Sequence, residues 1–259
     1  MCDPSANTPP RQEPPPCRLL PWDTDFFGFR IARVQAPRLT PEGVEQIDTW
    51  CRQNNVRCLY FLAAAGEART IRLAEENDFR LVDVRVTLSY TAPEQPGARP
   101  SPAAGDLDVR PATAADLPEL ARIARLAHGS TRFFADPGFS RRRSEQLYET
   151  WITNSCQGYA DAVYVAKERS RPVGYISCHR DGETGAGRIG LTAVRAEARG
   201  RGIGQALVRQ ALDWFLTQGA REVAVVTQGS NRAAQRLYQR CGFLTDSVQL
   251  WYHKWYPLN

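Results

Sequence analysis

Three glycines, at residues 200, 202 and 204, constrain the fold of this chain more than any other feature of its sequence. The segment before them, RIGLTAV, predicts a strand, and the segment after them, IGQALVRQALDWFLTQG, predicts an amphipathic helix. Glycine costs a helix about 1 kcal/mol relative to alanine, so glycines at a helix start indicate that something must approach the backbone. We therefore predict a mixed α/β fold in which a strand–turn–helix unit carries a binding site.

The chemistry of this turn is that of a phosphate-binding site. Unpaired N–H groups and a partial positive charge at a helix N-terminus attract anions, and Arg199 and Arg201 add positive charge. The dinucleotide pattern GxGxxG fails because its third glycine would be Leu207, and no Gly-Lys-Ser/Thr follows. The pattern that fits is Arg-x-x-Gly-x-Gly, from Arg199 to Gly204. The alternative is a glycine turn that serves packing alone.

A second motif, Asn231-x-x-Ala234-x-x-Leu237-Tyr238, follows one predicted strand later. Together with LTAV before the turn, the two motifs resemble the acetyl-coenzyme A signature of the GNAT superfamily of N-acetyltransferases. The resemblance covers residues 106–259 in element order. It implies a GNAT fold in this part of the chain and an enzyme that moves an acetyl group from acetyl-CoA to a primary amine.

The resemblance also implies roles for individual residues. The pyrophosphate of acetyl-CoA would lie on the turn, its pantetheine arm would pair with the preceding strand, and Asn231 and Ala234 would contact that arm. Tyr238 would protonate the leaving thiolate as a general acid; the alternative is a core aromatic residue. No residue stands out as the general base; the two considered are His179 and Glu183, which precede the glycine turn in the sequence. The implied coenzyme-binding residues are Thr192, Ala193, Val194, Arg199, Gly200, Arg201, Gly202, Ile203, Gly204, Gln205, Asn231, Ala234 and Tyr238.

Composition divides the chain into two bodies. Residues 1–16 and 91–105 are rich in proline, which predicts a disordered tail and an interdomain linker. In residues 17–90, LAEENDFRLVDVRVTLSY aligns with LYQRCGFLTDSVQLWYHK near the C-terminus. We therefore expect residues 17–90 to form a reduced GNAT-like half that binds no coenzyme, because it lacks the glycine turn. Residues 106–259 are then the catalytic domain.

Shorter stretches resemble one bacterial subgroup of the superfamily, the dTDP-fucosamine acetyltransferases; they include PWDTDFFG, STRFF and YETWITN. The resemblance implies that the acceptor is the 4-amino group of a dTDP-linked amino-deoxy sugar. Such an acceptor needs arginines for its pyrophosphate and an aromatic face for its base, and the candidates are Arg132, Phe133 and Phe134. Trp22, Phe26 and Phe27 either serve the same purpose or pack the two halves together.

Other function classes receive little support. A net charge of +5 without a long basic run is weak evidence for nucleic-acid binding. Seven cysteines without a CxxC pair, and three scattered histidines, predict reduced thiols, no metal and a cytoplasmic protein. The N-terminus lacks a signal-peptide pattern, and no apolar run is long enough to predict a membrane span. A peptide N-terminus or another small amine as acceptor, a non-catalytic acyl-CoA-binding module and a homodimer stay open.

Overall fold

The structure is a computed structural model that describes residues 14–93 and 107–257. Within these residues ten strands form one mixed sheet with helices on both faces. The strands are β1 Cys17–Leu19, β2 Ile31–Val34, β3 Cys58–Ala64, β4 Arg80–Thr91, β5 Leu107–Pro111, β6 Ala162–Glu168, β7 Arg171–Arg180, β8 Gly187–Val194, β9 Glu222–Gln228 and β10 Leu244–Trp255. The helices are α1 Pro21–Phe27, α2 Pro41–Gln53, α3 Ala68–Glu76, α4 Leu117–Ala127, α5 Arg132–Ala135, α6 Arg141–Asn154, α7 Ile203–Thr217 and α8 Arg232–Arg240.

The sheet has the strand order β1-β2-β3-β10-β4-β9-β8-β7-β6-β5. The pairs β2/β3 and β8/β9 are parallel, and the other neighbours are antiparallel. The two halves interleave, since the C-terminal strand β10 lies between β3 and β4, and β4 pairs with β9. The predicted mixed α/β fold is confirmed. The division into residues 17–90 and 106–259 stays a prediction, and the sheet runs without a break from one to the other.

The two faces of the sheet bury different helices. Leu59 and Phe61 of β3 point to the face covered by α2 and α3, and β4 and β9 extend this face under α7 and α8. Tyr60 points to the other face, where α1, α4, α5 and α6 pack. This alternation follows from the two-residue period of a strand. None of the helices in the described residues is both long and apolar enough to cross a membrane.

Local sequence signals explain most helix starts. At the start of α2, Thr40 Oγ1 accepts a hydrogen bond from the Gly43 N–H at 3.0 Å, and Pro41 occupies the first helical position. The first helix, α1, was not predicted. Its Phe27 packs on Phe139 from the other half, with ring centroids 4.6 Å apart. Packing between the halves, one of the two readings of Phe27, is therefore what the structure shows.

Most of the predicted tail and linker, residues 1–16 and 91–105, lies outside the described residues. The structure describes the end of the predicted tail, where the carbonyls of Pro15 and Pro16 accept hydrogen bonds from Gln35. These last residues of the tail therefore lie along the edge of the sheet.

Candidate active site

A slot opens where β8 separates from β9. The two strands pair only from Gly187 to Ile189, and beyond this point β8 keeps its antiparallel partner β7 alone. A register shift in the β7–β8 pairing lies at the same level, next to Gly190. The segment Thr192–Val194 therefore faces the slot with the edge that β9 has left. This is the edge on which the resemblance places the pantetheine arm.

The glycine turn lies beside this slot and begins α7. Gly200 and Gly202 have φ angles of 76° and 79°, which favour glycine, and a Cβ at either position would meet no atom within 4 Å. The N–H groups in the first turn of any helix have no acceptor within the helix. At the start of α7 no side chain caps these groups either. Gly204 is different, because a Cβ there would lie 3.0 Å from Leu237 on α8. Packing thus explains Gly204, whereas Gly200 and Gly202 leave open space.

The arginines of the turn are held by neighbouring groups. Arg199 donates to the Val194 carbonyl at 3.1 Å, and Arg201 forms an ion pair with Glu168 at 2.6 Å. Leu126 of α4 is 70% exposed. It lines a cavity of about 90 Å³ together with Val194 and Arg199.

Tyr238 is buried against the slot edge. Its side chain is 4% exposed, and burial raises the pKa of its hydroxyl to about 12, while the neighbouring Thr192 side chain lowers it. Thr192 Oγ1 is buried and has no hydrogen bond of good geometry among the described residues. Asn231 Oδ1 accepts a hydrogen bond from the Ala234 N–H at 3.1 Å and caps α8. The cap fixes the start of the helix that carries Tyr238.

These features fit acetyl-CoA. The start of α7 offers N–H groups that lack helical acceptors, Gly200 and Gly202 leave open space, and the Thr192 hydroxyl makes no hydrogen bond of good geometry among the described residues; a pantetheine and a pyrophosphate need such groups. Ile203 and Ala193 are themselves buried, so they would contribute backbone groups only. Gln205, in the first turn of α7, is half-buried. The coenzyme residues named from the sequence stay predictions, and the structure brings them to one edge of the sheet.

The two residues considered as a base lie in different surroundings. His179 is 9% exposed, and its Nε2 lies 2.5 Å from where a Cβ of Gly190 would be. Burial and the charge of Arg188 lower the pKa of His179, which keeps the imidazole neutral. Glu183 is exposed in the turn between β7 and β8. The structure therefore brings His179, and not Glu183, next to the strand that forms the slot.

The predicted acceptor residues separate as well. Phe133 is 2% exposed and lies in the core, so it has no free face for a base. Phe134 is half-buried and stacks on Tyr148. Arg132 is half-buried, and its guanidinium lies over the rings of Tyr60 and Trp251 at 4.1 and 4.3 Å from their centroids. Of the three candidates, Arg132 has a cationic group near the surface.

A buried polar network holds Arg132 in place. His253 Nε2 lies 3.0 Å from Arg132 Nη1, and His253 Nδ1 lies 2.6 Å from Asp136 Oδ2. Burial lowers the pKa of His253 to about 4, so the neutral ring donates to Asp136 and accepts from Arg132. Cys58 also lies close to Asp136 and His253, and the three side chains carry atoms that could act as metal ligands. Both imidazole nitrogens already have partners, and the guanidinium disfavours a cation there.

Several known proteins resemble this chain in sequence or in fold. A sequence model of the Acetyltransferase (GNAT) family matches residues 123–243. The chain is 30% identical over 241 residues to dTDP-fucosamine acetyltransferase of Escherichia coli O6:H1, which covers 91% of this chain and 96% of that protein. It is also 30% identical over 149 residues to spore coat polysaccharide biosynthesis protein SpsD of Bacillus subtilis, 57% of this chain and 50% of that one.

A solved structure, a GCN5-related N-acetyltransferase from Sphaerobacter thermophilus, has a TM-score of 0.62 and 20% identity to this chain. The match covers 92% of this chain and 76% of that one. At this identity the likeness shows the fold, which agrees with the chain-long sequence match. The chain belongs to the GNAT acetyltransferase family.

Proposed function

We propose that this GNAT acetyltransferase transfers the acetyl group of acetyl-CoA to the 4-amino group of a dTDP-linked amino-deoxy sugar. The similarity to dTDP-fucosamine acetyltransferase over 91% of the chain carries the choice of acceptor. The buried Tyr238 beside Thr192, at the edge where β8 leaves β9, supports the choice of reaction.

The reaction is a direct displacement at the thioester. The acceptor nitrogen attacks the carbonyl carbon, the carbon–sulfur bond breaks, and the amine loses one proton while the thiolate gains one. A backbone N–H on the separated part of β8 would stabilise the oxyanion. Tyr238 donates the proton to sulfur. Because burial raises its pKa to about 12, Tyr238 is fully protonated at neutral pH and ready to act as the acid.

Replacement of Tyr238 by Phe tests the acid. The variant keeps the ring that packs against Phe243, with centroids 5.7 Å apart, so it should fold normally and bind acetyl-CoA nearly as well. Positioned acid catalysis contributes about 10²–10⁴-fold, so kcat should fall at least about a hundredfold. Steady-state kinetics and calorimetry with acetyl-CoA separate the two effects.

Tyr164→Phe is the matched control. Tyr164 is 8% exposed and belongs to the same core cluster, and its hydroxyl interacts with Gln210 rather than with the slot. This variant should keep its kcat within about twofold. Full activity of Tyr238→Phe would leave Tyr238 as a core aromatic residue, and a change in KM alone would make its hydroxyl a positioning group.

The acceptor is tested by measuring release of free CoA with purified enzyme. The substrates to compare are dTDP-linked 4-amino sugars, the same amino sugars without the nucleotide, simple amines and peptides with free N-termini. We expect turnover with the dTDP-linked compounds and at least about a hundredfold lower kcat/KM for the free sugars, because the nucleotide supplies binding energy. Preferred turnover of peptides would replace the sugar nucleotide by a protein N-terminus.

A further inference from the structure

Arginines from distant parts of the chain meet on the sheet face opposite α7 and α8. Arg33 of β2 pairs with Tyr60 of β3, while Arg85 of β4 lies between Gln249 of β10 and Gln228 of β9. Opposed residues of neighbouring strands share a face, so the strand pairings place Arg33 and Arg85 on the face of Tyr60. Arg132 of α5 lies on the same face, over the Tyr60 ring.

Trp251 of β10 is the centre of this group. Its ring centroid lies 5.2 Å from Cζ of Arg33 and 4.3 Å from Cζ of Arg132. His253 holds Arg132 by a hydrogen bond, and the ring of Tyr60 packs against its guanidinium. The Tyr60 hydroxyl is buried and has no hydrogen-bond partner among the described residues. Aromatic rings therefore orient the guanidinium groups of Arg33 and Arg132, and a neutral imidazole also holds that of Arg132.

Two of these arginines, Arg33 and Arg85, have no carboxylate that balances their charge among the described residues. Burial lowers the pKa of Arg33 and of Arg85, and the only charged groups that add to this effect are other arginines. In the ranges that the structure describes, neither side chain forms an ion pair with a carboxylate. Asp23 and Asp83 lie near Arg132. Half-buried cations without partners cost stability, and such an arrangement is typical of a site for an anion.

The position of Arg85 links this group to the slot. Its partner Gln228 lies beyond Val225, the last residue of β9 that pairs with β8. Arg85 therefore stands at the mouth of the slot, on the open part of the sheet where Val226 is 37% exposed. An acceptor whose amine reaches the slot would extend across this surface.

We propose that Arg33, Arg85 and Arg132 bind the diphosphate of the acceptor and make the enzyme specific for nucleotide-linked substrates. The inference rests on the proposed function for the direction from which the acceptor enters. Guanidinium groups suit this task because their planar forks bind phosphate oxygens through paired hydrogen bonds. A neutral amine without phosphate would leave the arginines unpaired, which explains selection against it.

Calorimetry of the full-length enzyme with dTDP, inorganic pyrophosphate and thymidine tests the site. We expect dTDP and pyrophosphate to bind and thymidine to bind at least about tenfold more weakly than dTDP. Arg33→Gln and Arg85→Gln should each raise the Kd of dTDP at least about tenfold, a loss of about 1.4 kcal/mol. Arg72→Gln is the control: this arginine is exposed on α3, away from the slot, and its removal should change the Kd less than about twofold. Absence of dTDP binding to the unmodified enzyme overturns the proposal.

Coenzyme A is a second source of a diphosphate, so each variant is also titrated with acetyl-CoA. Weakened dTDP binding with unchanged acetyl-CoA binding supports the acceptor site, and equal loss of both overturns it. The two proposals fail in different ways. If the enzyme acetylates a dTDP-amino sugar and the arginine variants have the same KM for it as the unmodified enzyme, the arginine site alone is overturned. Arginine-dependent dTDP binding without acetylation of any dTDP-amino sugar overturns the proposed function alone.

Discussion

At the scale of single residues, Asp83 is the group most able to tune the arginine site. It lies opposite Trp251 in the sheet, and burial raises the pKa of its carboxyl to about 6. The backbone N–H groups of Val84 and Arg132, and the charge of Arg132, act in the opposite direction. Tyr148 is the other titratable group that senses Asp83, and it stays neutral because its own pKa is raised to about 12. An ionised Asp83 repels an anion, so Asp83 should weaken diphosphate binding above its pKa.

We therefore expect the Kd of a dTDP-hexose to fall about three- to tenfold when the pH is lowered from about 7 to about 5. A dTDP-hexose is the right probe because its diphosphate is esterified at both ends and does not titrate in this range. Asp83→Asn should bind the probe tightly at both pH values. His128 and His253 do not interfere, since burial lowers the pKa of each to about 4. A pH dependence that survives in Asp83→Asn would contradict the assignment.

At the scale of elements, the two ends of α7 allow a matched test of the phosphate site. Gly202 before the helix and Gly219 after it have φ angles of 79° and 82°, and a Cβ at either position meets nothing within 4 Å. Valine at either position imposes similar backbone strain. Gly202→Val should raise the Kd of acetyl-CoA at least about tenfold, because the side chain blocks approach to the N–H groups. Gly219→Val should lower the Tm by a similar amount and leave the Kd of acetyl-CoA unchanged. If the two variants raised this Kd equally, the result would count against the phosphate site.

Sequence spacing and strand register contribute differently to the two halves of the proposed site. The predicted coenzyme residues come from two contiguous motifs, around Gly202 and around Tyr238, so spacing within each motif is enough to predict them. The proposed acceptor site depends on how Arg33, Arg85 and Trp251 are brought together, and strand register between distant segments leaves no local pattern. The same limit applies to α1, a seven-residue helix too short for a clear period.

At the scale of the whole molecule, the internal repeat becomes a symmetry of the sheet. The alignment of the two bodies makes Val86 equivalent to Leu250 and Arg85 equivalent to Gln249. In the structure Arg85 and Gln249 face each other across β4 and β10, while Val84 faces Leu250 and Val86 faces Val248. Such a register relates β4 and β10 by a local two-fold axis between the two strands. The sequence comparison detected the repeat, but the exchange of last strands between the bodies is a long-range pairing that the comparison could not reveal.

This exchange predicts that residues 106–259 do not fold alone. The two strands that pair with β10 are β3 and β4, and both belong to the first body. Removal of residues 17–90 therefore leaves β10 without a partner and exposes one edge of β9. Leu88 and Tyr90 of β4 are also lost from the core around Phe243. Each large buried side chain is worth about 2–5 kcal/mol, against a total stability of about 5–15 kcal/mol for a domain.

The fragment 106–259 should therefore lack a cooperative thermal transition and bind no acetyl-CoA, as measured by calorimetry and circular dichroism. Its control is a chain cut within the predicted linker 91–105 and produced as two pieces in one cell, since the covalent break is then the same and both halves are present. The two pieces should copurify and together bind one acetyl-CoA, because the glycine turn occurs only in the second body. A lone fragment 106–259 with full acetyl-CoA affinity and a cooperative transition would show that β4 is dispensable. Two coenzyme sites in the reassembled protein would instead refute the idea that the first body binds none.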